Sequence, residues 1–370
     1  MRLAVPKETA PGERRVALVP DGVARLIKAG HSVRVESDAG LAAGFTDAAY
    51  ANAGATVTHG ADRTVADAEM TLRVQRPGPG EIALLPEGSA LVALLAPATA
   101  DEVLRLLGAR RVTAFAMELV PRTTKAQSMD ALSSQATVAG YRAVLLGAST
   151  LGRFLPMLTT AAGTVTPARV FVLGAGVAGL QAIATARRLG GVVSAFDVRP
   201  VVREQVQSLG ATFVEAEAVT TEAEGSGGYA RELGDEQQRR VLAAVAGHIP
   251  DVDLLITTAQ IPGRPAPRLV TAEMIATMRP GSVIVDLAAE SGGNCELTRA
   301  GEVVESHGVT ILGPVNLPAT LPYHASQMYS RNVQTFVEHV AKGGALAVDL
   351  DDPITGPMCV THAGTARTGR

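Results

Sequence analysis

The chain has 370 residues, 47% of them hydrophobic and 19% charged, with a formal net charge of −3. This length and composition indicate two globular domains, and without a basic stripe they argue against a nucleic-acid partner. Trp is absent and aromatics make up only 3%, so Ala, Val and Leu must fill the cores. The two cysteines, Cys295 and Cys359, have neither C-x-x-C nor metal-ligand spacing, which fits a reducing cytosol, inert thiols and no metal site. The start MRLAVPKE has no apolar signal-peptide core.

Leu3–Val5 is a short apolar start, followed by a polar neighbourhood that includes Pro6-Lys7-Glu8 and Glu13-Arg14-Arg15. Asp21 is expected to cap a helix closed by Gly30, and Ser32–Glu36 alternates as a strand. Asp47–Asn52 reads as a helix ended by Gly54. Met70–Val74, Leu91–Leu95 and Val112–Met117 read as strands, with an amphipathic helix over Asp101–Leu107. Strands alternating with helices predict a parallel sheet covered on both faces. In Glu118–Gln135, Ser128 is a plausible N-cap, with Asp130 in the first turn, where a carboxylate suits the helix dipole. A mostly helical stretch to about Leu158, with Gly140, Gly147 and Gly152, would bridge the two domains. Thr159–Pro167 reads as a small-residue connector.

Arg169–Arg199 then carries the strongest local signal. Val170–Leu173 has the length of a buried parallel strand, Gly174-Ala-Gly176-Val177-Ala-Gly179 follows at once, and Leu180–Leu189 has helical spacing. A second apolar run, Val192–Phe196, ends on Asp197. Gly174 permits a tight turn, Gly176 lets a pyrophosphate approach the backbone, and Gly179 lets helix and sheet pack closely. The helix N-terminus then faces the phosphates. Asp197 follows at about the 20-residue spacing of an acid that accepts from the adenosine ribose hydroxyls, which favours NAD(H) over NADP(H). Arg199 nearby is a counter-signal, because an Arg can accommodate a 2′-phosphate. Val170–Ala186 carries no charge, but its glycines split it into strand and helix, against a membrane span.

Beyond Asp197, Pro200 opens a helix over Val201–Leu209, and Thr212–Glu215 reads as a third strand. Val219–Asp235 reads as a long mobile excursion with one aromatic, Tyr229. Gln237–His248 and Thr271–Met278 read as helices. Val252–Thr258, Ser282–Leu287 and Val309–Leu312 complete six strands of a Rossmann sheet. Ligand then belongs at their carboxyl ends, within reach of Glu290 and Gly292-Gly293-Asn294. Tyr323–Val340 reads as a helix that crosses back onto the first domain, Ala345–Gly364 has strand-like pieces, and Thr365–Arg370 is expected to fray. The fold class is therefore α/β, with two Rossmann-like, doubly wound parallel-sheet domains linked by long helices. The expected domains are 1–128 plus 325–370, and 129–324.

None of the seven histidines sits in a motif, and there is no serine-nucleophile elbow. The sequence thus offers a dinucleotide site without an evident proton shuttle.

The segments PKE…RRV, KAQSMDALSSQATVAGYRAVL, VLGAGVAGLQAIATARRLG, AFDVR, GSGGYA, TTAQIPGRPAP and DLAAESGGNCEL span nearly the whole chain. They resemble the NAD(H)-binding component of the proton-translocating nicotinamide nucleotide transhydrogenases, in the alanine dehydrogenase/transhydrogenase family. The resemblance implies that Arg122, Gln127, Asp130 and Ser133 hold the nicotinamide and its ribose, and that Gly174, Gly176, Val177 and Gly179 form the pyrophosphate turn. It implies adenosine-ribose contacts at Asp197, Val198 and Arg199, and a closing loop at Gly228 and Tyr229. Gln260 stands where the family carries Leu beside the adenine, so that contact rests on position alone. In the alanine dehydrogenase branch a substrate-binding Lys would fall at Gln75 and a catalytic His within Leu94-Leu95-Ala96, and neither is present. The implied activity is direct hydride transfer between NAD(H) here and NADP(H) on a partner subunit, with proton translocation in membrane subunits. Such a step needs only two nicotinamides held roughly 3–3.5 Å apart and shielded from water. The implied partners are a second copy of the chain (a homodimer), an NADP(H)-binding beta subunit and a membrane subunit that forms the second portion of alpha. The implied location is cytoplasmic, peripheral to the inner membrane. Two rival readings are a self-contained alanine dehydrogenase-like enzyme and a non-catalytic NAD-sensing module.

Overall fold

Short strands whose residues are almost all buried recur along the chain, as expected where helices cover both faces of a parallel sheet. The computed structural model describes residues 1–215, 234–261 and 264–367. They form two units, Met1–Gln135 with Pro318–Arg370, and Ala136–Leu317.

In chain order the first unit supplies strands β1 (Arg2–Val5), β2 (Ser32–Glu36), β3 (Thr56–Thr58), β4 (Met70–Leu72), β5 (Ala90–Ala93) and β6 (Thr113–Ala116). Its helices over this stretch are α1 (Pro20–Lys28), α2 (Asp47–Asn52), α3 (Ala61–Val65), α4 (Pro79–Leu84) and α5 (Asp101–Ala109). α6 (Ala131–Thr150) contains the boundary between the units.

The second unit contains a hairpin of β7 (Leu158–Thr160) and β8 (Gly163–Val165), then β9 (Arg169–Leu173), α7 (Val177–Arg188) and β10 (Val192–Phe196). It continues through α8 (Arg203–Ser208), β11 (Thr212–Phe213), α9 (Asp235–His248) and β12 (Leu254–Thr257). α10 (Ala272–Ala276), β13 (Val283–Asp286), β14 (Val303–Ser306) and β15 (Val309–Leu312) complete it. The chain then returns to the first unit through α11 (Pro322–Val340), a small hairpin of β16 (Ala341–Lys342) and β17 (Ala345–Leu346), α12 (Thr355–Met358), β18 (Cys359–His362) and β19 (Thr365–Ala366).

The first sheet has the order β19-β18-β6-β5-β4-β1-β2-β3, parallel from β6 to β3, with β18 and β19 added antiparallel at one edge. The second has the order β11-β10-β9-β12-β13-β15-β14, parallel except for β14. Leaving out the antiparallel edge strand, that is the 3-2-1-4-5-6 order of a dinucleotide-binding sheet, whose strand order reverses beside β9.

Small residues set the packing distance, as a chain without Trp requires. A Cβ at Gly140 of α6 would lie 2.1 Å from the Ala178 carbonyl oxygen on α7, and one at Gly147 would lie 2.5 Å from Leu254 on β12. Seven residues is two helical turns, so both glycines lie on one face of α6 and let it seat against this sheet and helix. Around them the core is built from Val170, Val172, Ile183, Leu254, Ile256 and similar residues.

Several local expectations need correction. Asp21 lies in the first turn of α1, where Val19 is the N-cap and Pro20 sits at the first helical position. Ser128 lies in a one-turn 3-10 segment, Gln127–Met129, and Asp130 rather than Ser128 caps α6. The helical stretch stops at Thr150, and the expected connector holds the β7–β8 hairpin. β14 escaped the sequence because it is an edge strand with an alternating exposed pattern. Arg15 and Glu13, read as part of a polar loop, are buried as an ion pair with side chains 2% and 0% exposed. Thr365–Ala366 pairs with β18 instead of fraying. Most of the expected mobile excursion, residues 219–233, lies outside the described residues.

Candidate dinucleotide site

β9 runs straight into the glycine turn. Gly174 has φ +94, a left-handed conformation that a side chain would strain. A Cβ there would also lie 2.6 Å from Thr258 Oγ1. Gly179, in the first turn of α7, is tighter still: its Cβ would lie 1.8 Å from the Gly174 carbonyl oxygen. Gly176 is the N-cap of α7, and no side chain among the described residues caps that terminus. Among the described residues, a Cβ on Gly176 would meet nothing closer than Arg199 Nη2 at 4.0 Å. Two of the three glycines are therefore required by the protein's own packing, whereas the third leaves its backbone open to an approaching group. The uncapped first-turn amides and the positive end of the helix dipole suit that group being an anion.

Asp197 directly follows β10, beside this turn. It is 6% exposed and its carboxylate already accepts several hydrogen bonds. Oδ2 accepts from the Ala175 amide at 2.7 Å and from Arg199 Nη2 at 2.8 Å. Oδ1 accepts from the Arg199 amide at 2.8 Å and from Arg199 Nε at 2.9 Å. The acid and the basic counter-signal of the sequence are thus one ion pair, forked in the geometry that guanidinium and carboxylate favour. Val177 is 38% exposed, and Val198 is half-buried between Asp197 and Arg199. Gln260 is exposed in the loop after β12, where its Nε2 donates to the Leu287 carbonyl at 3.1 Å. Gly228 and Tyr229 lie outside the described residues.

Two supports of this site were not assigned a role from sequence. Thr258 Oγ1 donates to the Gly174 carbonyl at 3.0 Å and so fixes the turn from β12. Asn294, placed by sequence within reach of a ligand, is instead fully buried. Its Oδ1 accepts from the Ala259 amide at 3.0 Å, and its Nδ2 donates to the Ala259 and Pro267 carbonyls, each at 2.8 Å. Its carboxamide clamps the loop that carries Gln260. Both stand in segments that carry the family resemblance, but only the topology that places β12 beside β9 reveals what they support.

The four remaining candidates belong to the other unit. Arg122 and Gln127 are exposed. Asp130 caps α6: Oδ1 accepts from the Ser133 amide at 2.8 Å and Oδ2 from Ser133 Oγ at 2.6 Å. The same unit buries a polar cluster beyond the carboxyl ends of its strands. Arg15 forks onto Glu13 at 2.9 and 2.7 Å and donates to Gln135 Oε1 at 2.8 Å, while Gln75 Nε2 donates to Glu13 Oε2 at 2.8 Å. Arg73 lies 3.2 Å from Glu8 and 2.7 Å from Glu81. Burial pushes the Glu8 carboxyl above its ordinary range although Arg73 opposes it. Glu118 Oε1 accepts from the amides of Leu95, at 2.9 Å, and Ala96, which has a left-handed backbone, φ +49. Burial raises the Glu118 carboxyl as well.

The histidines mostly have local structural partners. His248 pairs with Ser194 Oγ at 2.7 Å, His339 with Asp352 at 3.0 Å and His362 with Thr113 Oγ1 at 3.1 Å. Both cysteines are free and buried, and burial pushes the Cys359 thiol up to about 11. No helix among the described residues is long and apolar enough to cross a membrane.

Comparison with known proteins places this geometry. The family model described as alanine dehydrogenase/PNT, N-terminal domain, matches residues 4–139, and that for the C-terminal domain matches residues 143–368. The first portion of NAD(P) transhydrogenase subunit alpha, from Rhodospirillum rubrum, is 48% identical over 98% of this chain and 97% of its own length. Alanine dehydrogenase of Bacillus subtilis (strain 168) is 32% identical over 95% of this chain and 89% of its own. The crystal structure of transhydrogenase from Sinorhizobium meliloti superposes with a TM-score of 0.91 at 46% identity, covering 99% of this chain and 100% of that one.

Proposed function

Because the chain belongs to the alanine dehydrogenase/PNT family, we propose that it is the NAD(H)-binding subunit of a proton-translocating transhydrogenase. In this reading hydride passes directly between NAD(H) on this chain and NADP(H) on a partner subunit, and membrane subunits couple the transfer to proton translocation. The observation that carries the reading is the backbone at Gly176, open and uncapped among the described residues and beside Asp197, in a turn whose other glycines have no room for a side chain.

Gly174, Gly176, Val177 and Gly179 hold the pyrophosphate, through backbone amides and the dipole of α7. Asp197, Val198 and Arg199 take the adenosine ribose, and Gln260 lies at the adenine. Arg122, Gln127, Asp130 and Ser133 orient the nicotinamide and its ribose, and Gly228 and Tyr229 cover the bound nucleotide. Bound NADH supplies the hydride. The residues of this chain move no proton in that step; they bind, orient and exclude water.

That division of labour separates the proposal from an alanine dehydrogenase. An amination needs an acid-base group beside the reacting carbon. Gln75 stands where that branch has its substrate Lys, and its amide is committed to Glu13. Ala96 stands in the segment where that branch has its His, its amide committed to Glu118.

The remaining partners follow from the same reading: a second copy of this chain, an NADP(H)-binding beta subunit and a membrane subunit that forms the second portion of alpha. The chain would then work in the cytoplasm, at the inner membrane through those partners. The test mixes the chain with a transhydrogenase NADP(H)-binding subunit and follows reduction of an NAD analogue by NADH in the presence of NADP(H). Transfer is expected only with both chains present, and the chain alone should bind NADH without turnover. Turnover with pyruvate and ammonia, or no transfer in the mixture, would refute the proposal.

A further inference from the structure

The segment from Val120 to Asp130 carries Arg122, Gln127 and Asp130, and apart from one 3-10 turn it has no regular backbone structure to hold it. Its far end is pinned by the acid cap on α6. Its middle is pinned by apolar anchors, because Ala126 and Met129 are buried in the core of their unit while Gln127 and Ser128 face outward. A third contact comes from α11. Asn332 Nδ2 donates to the Ser128 carbonyl at 2.8 Å, in the turn between Gln127 and Asp130.

Asn332 is an unexpected residue for its position. It is 7% exposed in the middle of a long helix, and its Oδ1 is buried without a hydrogen-bond partner among the described residues. Asn is a poor helix former, and a buried polar atom left unpaired costs free energy that an apolar side chain of similar size avoids. Stability alone would favour such a side chain here. What Asn332 supplies, and an apolar residue cannot, is a donor aimed at the Ser128 carbonyl.

We infer that Asn332 is a positioning residue: it sets the Gln127–Met129 turn so that Gln127 and Asp130 are presented to the nicotinamide end of the dinucleotide. The inference rests on the proposed assignment of those two residues, but not on the partner reaction. Its effect should therefore be confined to the nicotinamide half of the ligand. Removing the donor loosens the turn, while the glycine turn and Asp197 keep their hold on the ADP half.

The test compares the full-length wild type with Asn332→Ala and Asn332→Asp, titrated with NADH and with ADP-ribose, which lacks the nicotinamide. Thermal melting is recorded for each. Asn332→Ala should melt close to the wild type, since it removes the unpaired oxygen together with the donor. It should lose about fivefold in NADH affinity, the scale of one hydrogen bond, with ADP-ribose affinity unchanged. Asn332→Asp should be worse at alkaline pH, where a carboxylate faces the Ser128 carbonyl. It should approach the wild-type ratio as acidification converts it to an O–H donor. Equal losses for both ligands, or a lowered melting temperature with an unchanged NADH to ADP-ribose ratio, would overturn the inference and leave Asn332 a packing residue. If the wild type binds NADH but transfers no hydride with its partner, the proposed function fails while the ratio still decides the role of Asn332. If it binds no NADH, both fall.

Discussion

Gly176 and Gly179 lie three residues apart in one turn, yet the structure assigns them opposite sensitivities. A methyl at Gly179 would sit 1.8 Å from the Gly174 carbonyl oxygen, where carbon and oxygen normally keep about 3.3 Å. The obstacle is backbone, so no rotamer relieves it and the turn must open by over an ångström. Overpacking of this kind costs about 3 kcal/mol, which for a unit of this size lowers Tm by about 6–12 °C. Among the described residues a methyl at Gly176 meets nothing within 4.0 Å except Arg199 Nη2, and the backbone there has φ −76. Gly176→Ala should cost no more than about 1 kcal/mol as a poorer N-cap. It should nonetheless weaken NADH binding about 30-fold, the equivalent of one charge-assisted backbone contact. Circular dichroism melts and titration of nicotinamide fluorescence separate the two effects. If Gly176→Ala binds NADH like the wild type, or Gly179→Ala melts with it, the steric reasoning is refuted.

Three further outcomes follow from the same geometry. Gly140→Ala places a methyl 2.1 Å from the Ala178 carbonyl oxygen and should destabilise by about 2 kcal/mol or more, read as a lower urea midpoint with unchanged slope. Asp130→Ala should lose about 1 kcal/mol of capping energy, whereas Asp130→Asn, an equally good cap, should melt within a few tenths of the wild type. A fall in transfer rate for Asp130→Asn would then report on the charge alone. Burial raises the Glu118 carboxyl, so the folded state holds that proton more tightly than the unfolded chain. Stability from this group therefore falls as pH rises from its unfolded value, about 4.3, through its raised folded value. The Tm advantage of Glu118→Gln over the wild type should accordingly grow between about pH 4 and pH 7, and a gap that shrinks over that range would contradict the assignment.

The nucleotide unit was legible because each of its signals is local. A buried strand, a left-handed Gly174 and a helix needing close approach at Gly179 are all enforced within a dozen residues. The acid at Asp197 was legible by spacing, but its pairing with Arg199 was not, because spacing does not tell which way a long side chain folds. Thr258 and Asn294 support the turn and the loop through topology, from strands distant in sequence. The burial of Glu13 and Arg15 was hidden for a related reason: a charged run reads as solvated until distant strands close around it. The sequence put the cap of α6 at Ser128 instead of Asp130 because both residue types cap helices, and only backbone geometry decides which one does.

Under the proposed assignment, the Asp197–Arg199 pair would bear on the lifetime of a bound nucleotide. An acceptor that already has four donors gains from a ribose diol only the difference between new partners and old. Association at this end would be an exchange, and on departure the guanidinium would be at hand to reclaim the carboxylate. Such a clasp would trade grip for speed of release, as the proposed function would require of a carrier that gives up its cargo at every cycle.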